Sequence, residues 1–436
     1  MSSNRIALAF AAVLFAALGT SISAAPPVPG WDWETPEDRP FPILGWWGPP
    51  SHLLNDTVWG DMAAAGFNLC MPPFPYDEPN RKALALGEKH GIGIVAIGVE
   101  WEFAKKPEKA AKLEANIQDK VAQWAKEPAF AAYRLKDEPG IVSYPHLATT
   151  RDRLEELDPG HWSYVNLFPS YAPVNEKENY LGSRNYQEYV DQYMEIFRPE
   201  VLSFDHYCIE GYHYRKHDYA IRIRPEYFEN LEIIRAAALK HGVPFWAFTL
   251  ISPVFSYPTP TEGHVRFQLF SNLAYGAKGL QYFTYGPAEG KKGIIDNSGN
   301  RMPQYELAKR INWEIQNLGP LLLDLTSTAV FHTSPQPQGT TWIYEGYGGL
   351  LTCEGAPALF GFFDGPDERK FLMVVNRDPF KAADIALTFD DSVTAVSEID
   401  RSQPGGHALP LERMDGELKF TLPDGDGKLL ELKREE

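Results

Sequence analysis

Cysteine is scarce in this chain. Only three occur in 436 residues, at Cys70, Cys208 and Cys353. This excludes a small domain held by a disulfide framework, and the odd number leaves at least one thiol free. No fixed histidine and asparagine pattern accompanies them, which argues against a cysteine nucleophile. Because the three fall in separate predicted elements, we interpret them as small buried apolar side chains.

Positive charge is also in deficit. The 41 lysines and arginines stand against 58 aspartates and glutamates, for a formal net charge of −17. The sequence has no local basic patch, so we expect no nucleic-acid partner and no anionic membrane surface as partner. Aromatic residues are plentiful, with 11 Trp, 21 Tyr and 25 Phe. Much of this content must be ordinary core, but it also suits a site where rings stack on sugars.

Long apolar runs are absent except near the start of the chain. Arg5 precedes the apolar run Ile6–Gly19, and the small residues Ser21–Ala25 follow it. This pattern is typical of a secretory signal, so we predict a signal peptide over 1–25, a proline-rich linker over 26–40, and a secreted or periplasmic protein. The run is too short to span a bilayer, so we expect no membrane partner after signal removal.

From residue 41 to about 325, short apolar runs alternate with longer amphipathic ones. The short runs are typical of parallel strands buried on both faces, and the long ones of helices that pack over them. Eight such pairs predict an α/β fold, a (β/α)8 TIM barrel over 41–325. The predicted strands are Ile43–Trp47, Asn68–Pro72, Gly93–Val99, Ala131–Leu135, Ser163–Leu167, Val201–Asp205, Pro244–Thr249 and Gly279–Thr284. Gly91 and Gly242 are predicted to end two of the helices. A doubly wound open sheet is the alternative, but no G-x-G-x-x-G follows the first strand.

After residue 326 the pattern changes to short strand-like runs separated by Gly, Pro and Asp turns. It predicts a small antiparallel β-sandwich domain over 326–436. The runs are Val330–His332, Thr341–Tyr344, Ala358–Phe363, Phe371–Asn376, Ala383–Thr388 and Lys419–Leu422. We interpret this domain as one that packs on the flank of the barrel. A carbohydrate-binding role through Trp342, Tyr344 and Tyr347 is the alternative.

In a barrel of this kind, reactive groups lie where the strands end and in the loops just after them. Glu138 follows the fourth strand directly after Asp137, and Asp205 ends the sixth. Neighbouring carboxylates raise the pKa of one of them, which suits Glu138 as a general acid, with Asp205 as its partner. The structural alternatives are that Asp137 and Glu138 only cap the next segment, and that Asp205 pairs with an arginine such as Arg215.

The other strand ends carry aromatic and polar residues that suit a sugar, because rings stack on its C–H faces and polar groups bind its hydroxyls. The predicted substrate-binding residues are Trp46, Trp47, Glu100, Trp101, Asn166, His206, Tyr207, Trp246, Tyr282 and Tyr285.

The segment after the sixth strand is rich in histidine but does not indicate a metal site. His213 and His217 have a helical spacing, yet Gly211 and the surrounding aromatic residues favour a loop. No H-E-x-x-H or C-x-x-C accompanies them. A nucleophile elbow, a phosphate-binding loop and a dinucleotide motif are also absent. The sequence therefore predicts no metal and no cofactor.

Two segments resemble the clan-A type of glycoside hydrolase barrel, of the kind found in family 42 β-galactosidases and their secreted relatives. They are Leu135–Pro139, where the clan has Asn-Glu-Pro, and Leu273–Tyr285 at the eighth strand. The resemblance covers the barrel and the idea of a trailing β domain. It implies Glu138 as the acid/base, with Asp137 in place of the asparagine that contacts the sugar 2-hydroxyl.

The chain departs from this pattern at the seventh strand. The clan has its nucleophilic glutamate there, whereas residues 245–250 read Phe-Trp-Ala-Phe-Thr-Leu. Asp205 could then be the partner of Glu138, by an inverting or a retaining route. An Asp-Glu pair after the fourth strand is also similar to hexosaminidases in which the substrate's acetamido group is the nucleophile, although the flanking motif of that family is absent.

The sequence therefore predicts a glycoside hydrolase that cleaves a polysaccharide or oligosaccharide with two carboxyl groups. One alternative is a non-catalytic carbohydrate-binding barrel. Another is a different enzyme on the same fold, such as a polysaccharide lyase or a transglycosylase. The sugar, the linkage and the oligomeric state are not indicated.

Overall fold

The computed structural model describes residues 39–175, 178–215, 218–253, 257–288, 290 and 292–435. The predicted signal peptide over 1–25 and nearly all of the predicted linker over 26–40 lie outside these ranges. Among the described residues, no helix is both long enough and apolar enough to cross a membrane.

Eight parallel strands form the first part of the structure. They are β1 (Ile43–Trp46), β2 (Leu69–Met71), β3 (Gly93–Ile97), β4 (Phe130–Asp137), β5 (Trp162–Leu167), β6 (Leu202–Phe204), β9 (Phe245–Leu250) and β10 (Gly279–Phe283). They close into a barrel in the order β1-β10-β9-β6-β5-β4-β3-β2. The predicted TIM barrel is confirmed, and the open doubly wound sheet is excluded.

In the described part of the chain, eight α-helices surround the barrel. They are α1 (Asp56–Ala64), α2 (Asp77–His90), α3 (Ala110–Trp124), α4 (Tyr144–Leu157), α5 (Tyr186–Ile196), α6 (Tyr227–His241), α7 (Glu262–Ala274) and α8 (Pro303–Asp324). Gly91 and Gly242 end α2 and α6 with φ of 67° and 65°, a left-handed conformation that glycine adopts without a Cβ clash. The two predicted C-caps are confirmed.

Large rings fill the inside of the barrel. Trp162 and Trp246 meet edge to face with centroids 5.3 Å apart, and Trp46 meets Phe248 in the same way at 5.1 Å. The interior is thus a packed core, as is usual for this fold, and only its two ends are accessible. In barrels of this fold, binding sites lie at the end where the strands finish.

A long loop after β6 carries two further strands, β7 (Ile209–Arg215) and β8 (Asp218–Ile223), which pair as an antiparallel hairpin. The sequence favoured an irregular loop here because of Gly211. That expectation is wrong, because Gly211 pairs with Ile221 in the middle of the hairpin.

The second part of the chain is built of antiparallel strands. They are β11 (Thr326–His332), β12 (Leu350–Gly355), β13 (Ala358–Asp364), β14 (Lys370–Asn376), β15 (Ala383–Phe389), β16 (Val393–Ile399), β17 (Ala408–Leu411), β18 (Glu417–Leu422) and β19 (Gly427–Arg434). A six-stranded sheet has the order β11-β13-β14-β19-β16-β17, and a three-stranded sheet the order β12-β15-β18. Side chains such as Phe360, Leu372 and Leu387 form a common core. The β-rich C-terminal domain is confirmed.

One predicted strand of this domain is wrong. In the segment Thr341–Tyr344, Trp342 makes a single isolated bridge to His332, and the segment lies outside both sheets. Nearby prolines, which cannot complete a ladder, precede it. Strands β12, β16, β17 and β19 were not predicted. Their exposed faces carry polar or charged residues, or a proline in β17, so they lack a continuous apolar run.

The three cysteines are free thiols. Cys70 and Cys208 are buried, and burial raises the pKa of both thiols. Cys353 is half-buried in β12, so the interpretation as a fully buried side chain holds for the first two only.

The barrel and the C-terminal domain share a buried ion network. Asp426, 1% exposed, accepts hydrogen bonds from Arg401 at 2.9 and 2.6 Å and from Arg266 of α7 at 3.1 Å. Arg266 also donates to Glu314 of α8 at 2.7 and 2.9 Å. A buried charge is tolerated only when it is paired in this way.

We expect Asp426→Asn to lower the free energy of unfolding by roughly 1–3 kcal/mol, because Arg266 and Arg401 lose one of their carboxylate partners and keep Glu314. Chemical denaturation of the purified chain measures this loss. The control is Asp391→Asn, which changes an exposed aspartate and should alter stability by less than about 0.5 kcal/mol. Equal stability of both variants would contradict a structural role for the network.

Candidate active site

Three carboxyl groups meet where β4 and β6 end. Asp137 is the last residue of β4, Glu138 follows it, and Asp205 follows the last residue of β6. Strand β5 lies between these two strands and is parallel to both. Because parallel strands finish at the same edge, the three side chains share one mouth of the barrel.

The side chain of Asn166 on β5 links two of these carboxylates. Its Nδ2 donates to Asp137 Oδ1 at 3.2 Å and to Asp205 Oδ1 at 3.0 Å. In register, Asn166 pairs with Asp137 on one side and with Ser203 on the other. Asp205 lies two residues beyond Ser203 and so faces the same side of the sheet.

A buried polar layer fixes the orientation of the Asn166 amide. Ser203 Oγ donates to Asn166 Oδ1 at 2.9 Å, and Gln281 Nε2 of β10 donates to Ser203 Oγ at 2.9 Å. The Tyr164 hydroxyl lies 2.8 Å from Ser203 Oγ and donates to Gln281. With its oxygen held by Ser203, the amide presents its N–H groups to the carboxylates.

Glu138 is held in an uncommon backbone conformation. Its φ is 47°, in the left-handed region, and its N–H donates to the Asn166 carbonyl at 2.8 Å. For a residue other than glycine this costs about 1–2 kcal/mol, and such strain is concentrated at functional sites. Trp47, which follows β1 at the same mouth, has a φ of 45°.

The electrostatic surroundings of Glu138 favour its protonated form. Burial raises the pKa of Glu138 to about 7, with a further contribution from the negative charge of Asp137, while Lys136 acts in the opposite direction. A carboxyl group that titrates near neutrality is suited to donate a proton at physiological pH.

The pKa of Asp205 is raised well above its usual value by burial, and next by the charges of Glu138 and Asp137. The hydrogen bond from Asn166 acts in the opposite direction, because it favours the ionised form. Within the described part of the chain, Asp205 has no arginine or lysine partner. The side chain of Arg215, the alternative partner considered from the sequence, lies outside that part.

A bulge in β4 places an arginine beneath these carboxylates. The register of β4 against β5 shifts between Arg134 and Lys136. Residues three apart on a regular strand face opposite sides, whereas the bulge turns both Arg134 and Asp137 inwards. The Arg134 guanidinium lies 5.8 Å from the Trp46 ring centroid and 3.7 Å from Asp137 Oδ2. No motif in the sequence indicates this residue.

Aromatic rings line the opposite side of the mouth. Tyr207, after β6, has centroids 5.4 Å from Phe283 and 5.7 Å from Tyr257. The Tyr257 hydroxyl lies 3.2 Å from that of Tyr171. Of these four residues only Tyr207 was predicted. Phe283 ends β10, and the other two lie on long loops where no periodic signal exists.

Two predicted substrate contacts, Tyr282 and Tyr285, are corrected by the structure. Both are fully buried, and each ring lies 5.3 Å from Phe67 in the layer between barrel and helices. Gln281 and Phe283 point into the barrel, so Tyr282 must point out. The sequence prediction took the right strand but the wrong face.

Trp246 and Trp46 lie inside the barrel below the mouth. The Trp246 partner in register is Gly279, the first residue of β10, which places Trp246 near the far end. Trp246 is therefore core, and its predicted substrate contact is corrected. Trp46 is buried beneath Trp47, with centroids 6.0 Å apart, and forms the floor of the site.

His206 faces away from the mouth. It is 1% exposed, and its ring lies 4.9 Å from Tyr171 and 5.2 Å from Tyr227 of α6. Burial, with a smaller effect of the nearby Arg224 charge, lowers the pKa of His206 to about 3. The ring is neutral and enclosed. The predicted contact of His206 with substrate is therefore wrong.

The loop after β3 carries two predicted substrate contacts, Glu100 and Trp101. Glu100 is exposed, and its backbone N–H donates to Asn116 Oδ1 at 2.8 Å, so its predicted contact with substrate stays a prediction. Trp101 is buried in the main core, with Lys105 Nζ 4.4 Å from its ring centroid. The site therefore unites Glu138, Asp137, Asp205, Asn166, Trp47 and Tyr207 from the predicted set, and their roles in binding or catalysis stay predictions.

The inward-facing residue at the end of β9 is Leu250, which packs inside the barrel. Strand β9 is the seventh strand of the barrel, and it thus offers no carboxylate to the site. In the part of the chain that the structure describes, no group of three or more His, Cys, Asp and Glu side chains could hold a metal ion. The side chains of His213 and His217 lie outside that part.

No protein-family model and no curated protein matches the chain. Solved structures do. A glycoside hydrolase shares 11% identity at a TM-score of 0.55, over 90% of this chain and 92% of that one. A family 5 glycoside hydrolase from Bacteroides vulgatus shares 12% identity at a TM-score of 0.52, over 91% of this chain and 90% of that one. A family 39 glycoside hydrolase from the gut symbiont Bacteroides cellulosilyticus shares 12% identity at a TM-score of 0.51, over 92% of this chain and 82% of that one.

These likenesses define the class of fold, a (β/α)8 barrel followed by a β domain, and at such identities they define the fold alone. A β-galactosidase from the psychrophilic Marinomonas ef1 shares 12% identity at a TM-score of 0.49. The alignment covers 66% of this chain, which spans 63% of that protein's length. This match is too distant to support the family 42 resemblance, which stays a prediction.

We expect Asn166→Ala to raise the pKa of Asp205 further, because the ionised carboxylate loses its hydrogen-bond donor. Carbon NMR titration of the Asp205 carboxyl group should show its midpoint at higher pH. The control is Asn68→Ala, which removes a buried asparagine that bonds Phe41 and Ile43 at the opposite end of the barrel. It should lower stability and leave the titration of Asp205 in place. Identical titrations in both variants would refute the role of the Asn166 amide.

Proposed function

We propose that this chain is a glycoside hydrolase in which Glu138 is the general acid and Asp205 the base or nucleophile. The observation that carries the proposal is the pair of carboxyl groups with raised pKa values in one aromatic-walled mouth. Glycosidic cleavage requires one protonated and one ionised carboxyl group on either side of the bond.

The surroundings of the two groups favour this division of roles. Asn166 donates to Asp205 and stabilises its ionised form, whereas no described residue donates a hydrogen bond to the Glu138 carboxyl. Because each charge disfavours the other, the pair is expected to hold one proton near neutrality and to titrate as a unit.

In the direct route, Glu138 gives its proton to the glycosidic oxygen as the bond from that oxygen to the anomeric carbon breaks. A water molecule attacks that carbon from the opposite face and loses a proton to Asp205. Both carboxyl groups then return to their starting states by exchange with solvent. In the two-step route, Asp205 itself attacks the carbon while Glu138 gives its proton to the leaving oxygen. A water molecule then displaces Asp205 and returns a proton to Glu138, which releases the sugar.

A second candidate is a hexosaminidase that uses the substrate's acetamido group as nucleophile. Two observations favour it. Leu250, and not a carboxylate, ends β9, the seventh strand of the barrel, and Asp137 and Glu138 form a pair after the fourth. Activity restricted to N-acetylated sugars would support the hexosaminidase. We also propose export, on the basis of the signal-like segment over 1–25.

A bell-shaped pH profile of kcat/KM is expected. Activity should fall as pH rises through about 7, since the acid Glu138 must be protonated. It should also fall on the acidic side, at a pH well above the 3.8 usual for an aspartate, since Asp205 must be ionised. The limbs belong to the coupled pair. A profile flat from pH 4 to 9 would contradict the assignment.

The central test compares wild type with Glu138→Gln and Asp205→Asn on glycosides and soluble polysaccharides. We expect each variant to lose about 10²–10⁴-fold in kcat/KM. Glu138→Gln should lose least on aryl glycosides, whose leaving group needs no protonation. The control, Glu102→Gln, changes an exposed carboxylate on a neighbouring loop and should keep full activity.

Binding without turnover by wild type would instead indicate a non-catalytic carbohydrate-binding barrel. Products that contain an unsaturated sugar would indicate a lyase. Proton NMR of the first anomer released distinguishes the direct route, which inverts the configuration, from the two-step route, which retains it.

A further inference from the structure

An exposed aromatic ring lies on the loop after β5, which packs on the segment that follows the proposed acid. Tyr180, on the loop between β5 and α5, is 51% exposed. Its ring stacks on that of Phe168, with centroids 6.1 Å apart and planes inclined by 26°. Phe168 is half-buried, so it supports one face of Tyr180 from below. The exposed ring carries apolar surface that water solvates poorly.

The loop that carries Tyr180 is clamped to the segment directly after Glu138. Tyr189 of α5 accepts a hydrogen bond from the Phe168 N–H at 3.2 Å and donates its own hydroxyl to the Pro139 carbonyl at 2.8 Å. The Ile141 N–H donates to the Leu181 carbonyl at 2.9 Å. These bonds hold the loop after β5 against the loop after β4.

Gly140 allows this close approach. A Cβ placed there would lie 2.8 Å from the carbonyl oxygen of Tyr180, closer than a side chain tolerates. The backbone of Tyr180 therefore packs on a residue only two positions after Glu138. These backbone contacts hold the loop that carries the ring close to the segment that follows the acid.

The chemistry around the ring suits a sugar. The same loop borders an open depression of about 450 Å³, lined by residues that include Asn179, Ser183, Arg184 and Glu188. A pyranose presents C–H groups on its faces and hydroxyls at its edge, so one ring can stack on an aromatic while its edge meets polar groups.

We propose that Tyr180 is the stacking platform of an outer subsite, which binds a sugar unit next to the one that is cleaved. This inference rests on the proposed function, because it takes Glu138 as the acid of the adjacent subsite. The substrate class it implies is an oligosaccharide or polysaccharide chain, with a preference for substrates longer than a disaccharide.

The test measures binding and turnover separately. The probes are cello-, xylo-, galacto- and manno-oligosaccharides of two to six units. Binding is measured by calorimetry with Glu138→Gln as the background, so that nothing is hydrolysed, and turnover is measured with an otherwise wild-type site. In each background Tyr180→Ala is compared with Tyr180→Phe, which keeps the ring, and with Phe380→Ala, which removes an aromatic of 50% exposure in the C-terminal domain.

We expect Tyr180→Ala to weaken binding of the longest bound series roughly 3- to 10-fold, the size of one aromatic contact. Binding of the disaccharide should not change, and KM for long substrates should rise by a similar factor. Tyr180→Phe and Phe380→Ala should match their parents. Thermal unfolding of each variant verifies that the fold is intact.

The outcomes separate the two proposals. If the panel is turned over and Tyr180→Ala changes KM equally for all lengths, or for none of them, the stacking platform is overturned and the hydrolase proposal stands. Length-dependent binding that requires Tyr180, without turnover by wild type, supports the platform and overturns the hydrolase. If no oligosaccharide of the panel binds, both proposals fail.

Discussion

The amide of Asn166 is shared between carboxylates from two different strands, and the rest of the site depends on this contact. It can bridge Asp137 and Asp205 only because β5 lies between β4 and β6 in the closed barrel. The amide in turn keeps its orientation because Ser203 of β6 donates to its oxygen, and Gln281 of β10 donates to the Ser203 hydroxyl. Closure of the barrel and the arrangement of the acidic groups are therefore one constraint, since any strand that shifts register would break the chain of hydrogen bonds.

Burial and local strain adapt this framework to chemistry. A left-handed residue, a strand bulge and a half-buried arginine all occur within five residues at the end of β4. The bulge turns Arg134 inwards beneath Asp137, and the left-handed turn at Glu138 directs the chain from strand to loop. The positive charge of Arg134 therefore lies near the Asp137 carboxylate. Local departures from regular structure of this kind are expected where function, rather than stability, determines the geometry.

The sequence predicted the barrel well because its strands are continuous apolar runs and its helices end at residues such as Gly91. It also predicted the acidic groups, because the ends of parallel strands must meet. It failed where side-chain direction mattered. Tyr282 and Phe283 are adjacent, and only the register of β10 decides which one faces the mouth. Arg134 required knowledge of a bulge, and Tyr180 gains its place from contacts with Gly140 that lie 40 residues away in the chain.

The most direct test of this account is the titration of Glu138 itself, followed by carbon NMR of its carboxyl group in wild type and in Asp205→Asn. If the two groups share one mouth, Glu138 titrates near pH 7 in wild type, and its pKa falls in the variant, because a neighbouring negative charge has been removed. A Glu138 carboxyl that titrates at its ordinary value of about 4.3, or that does not respond to the change at Asp205, would contradict the central claim.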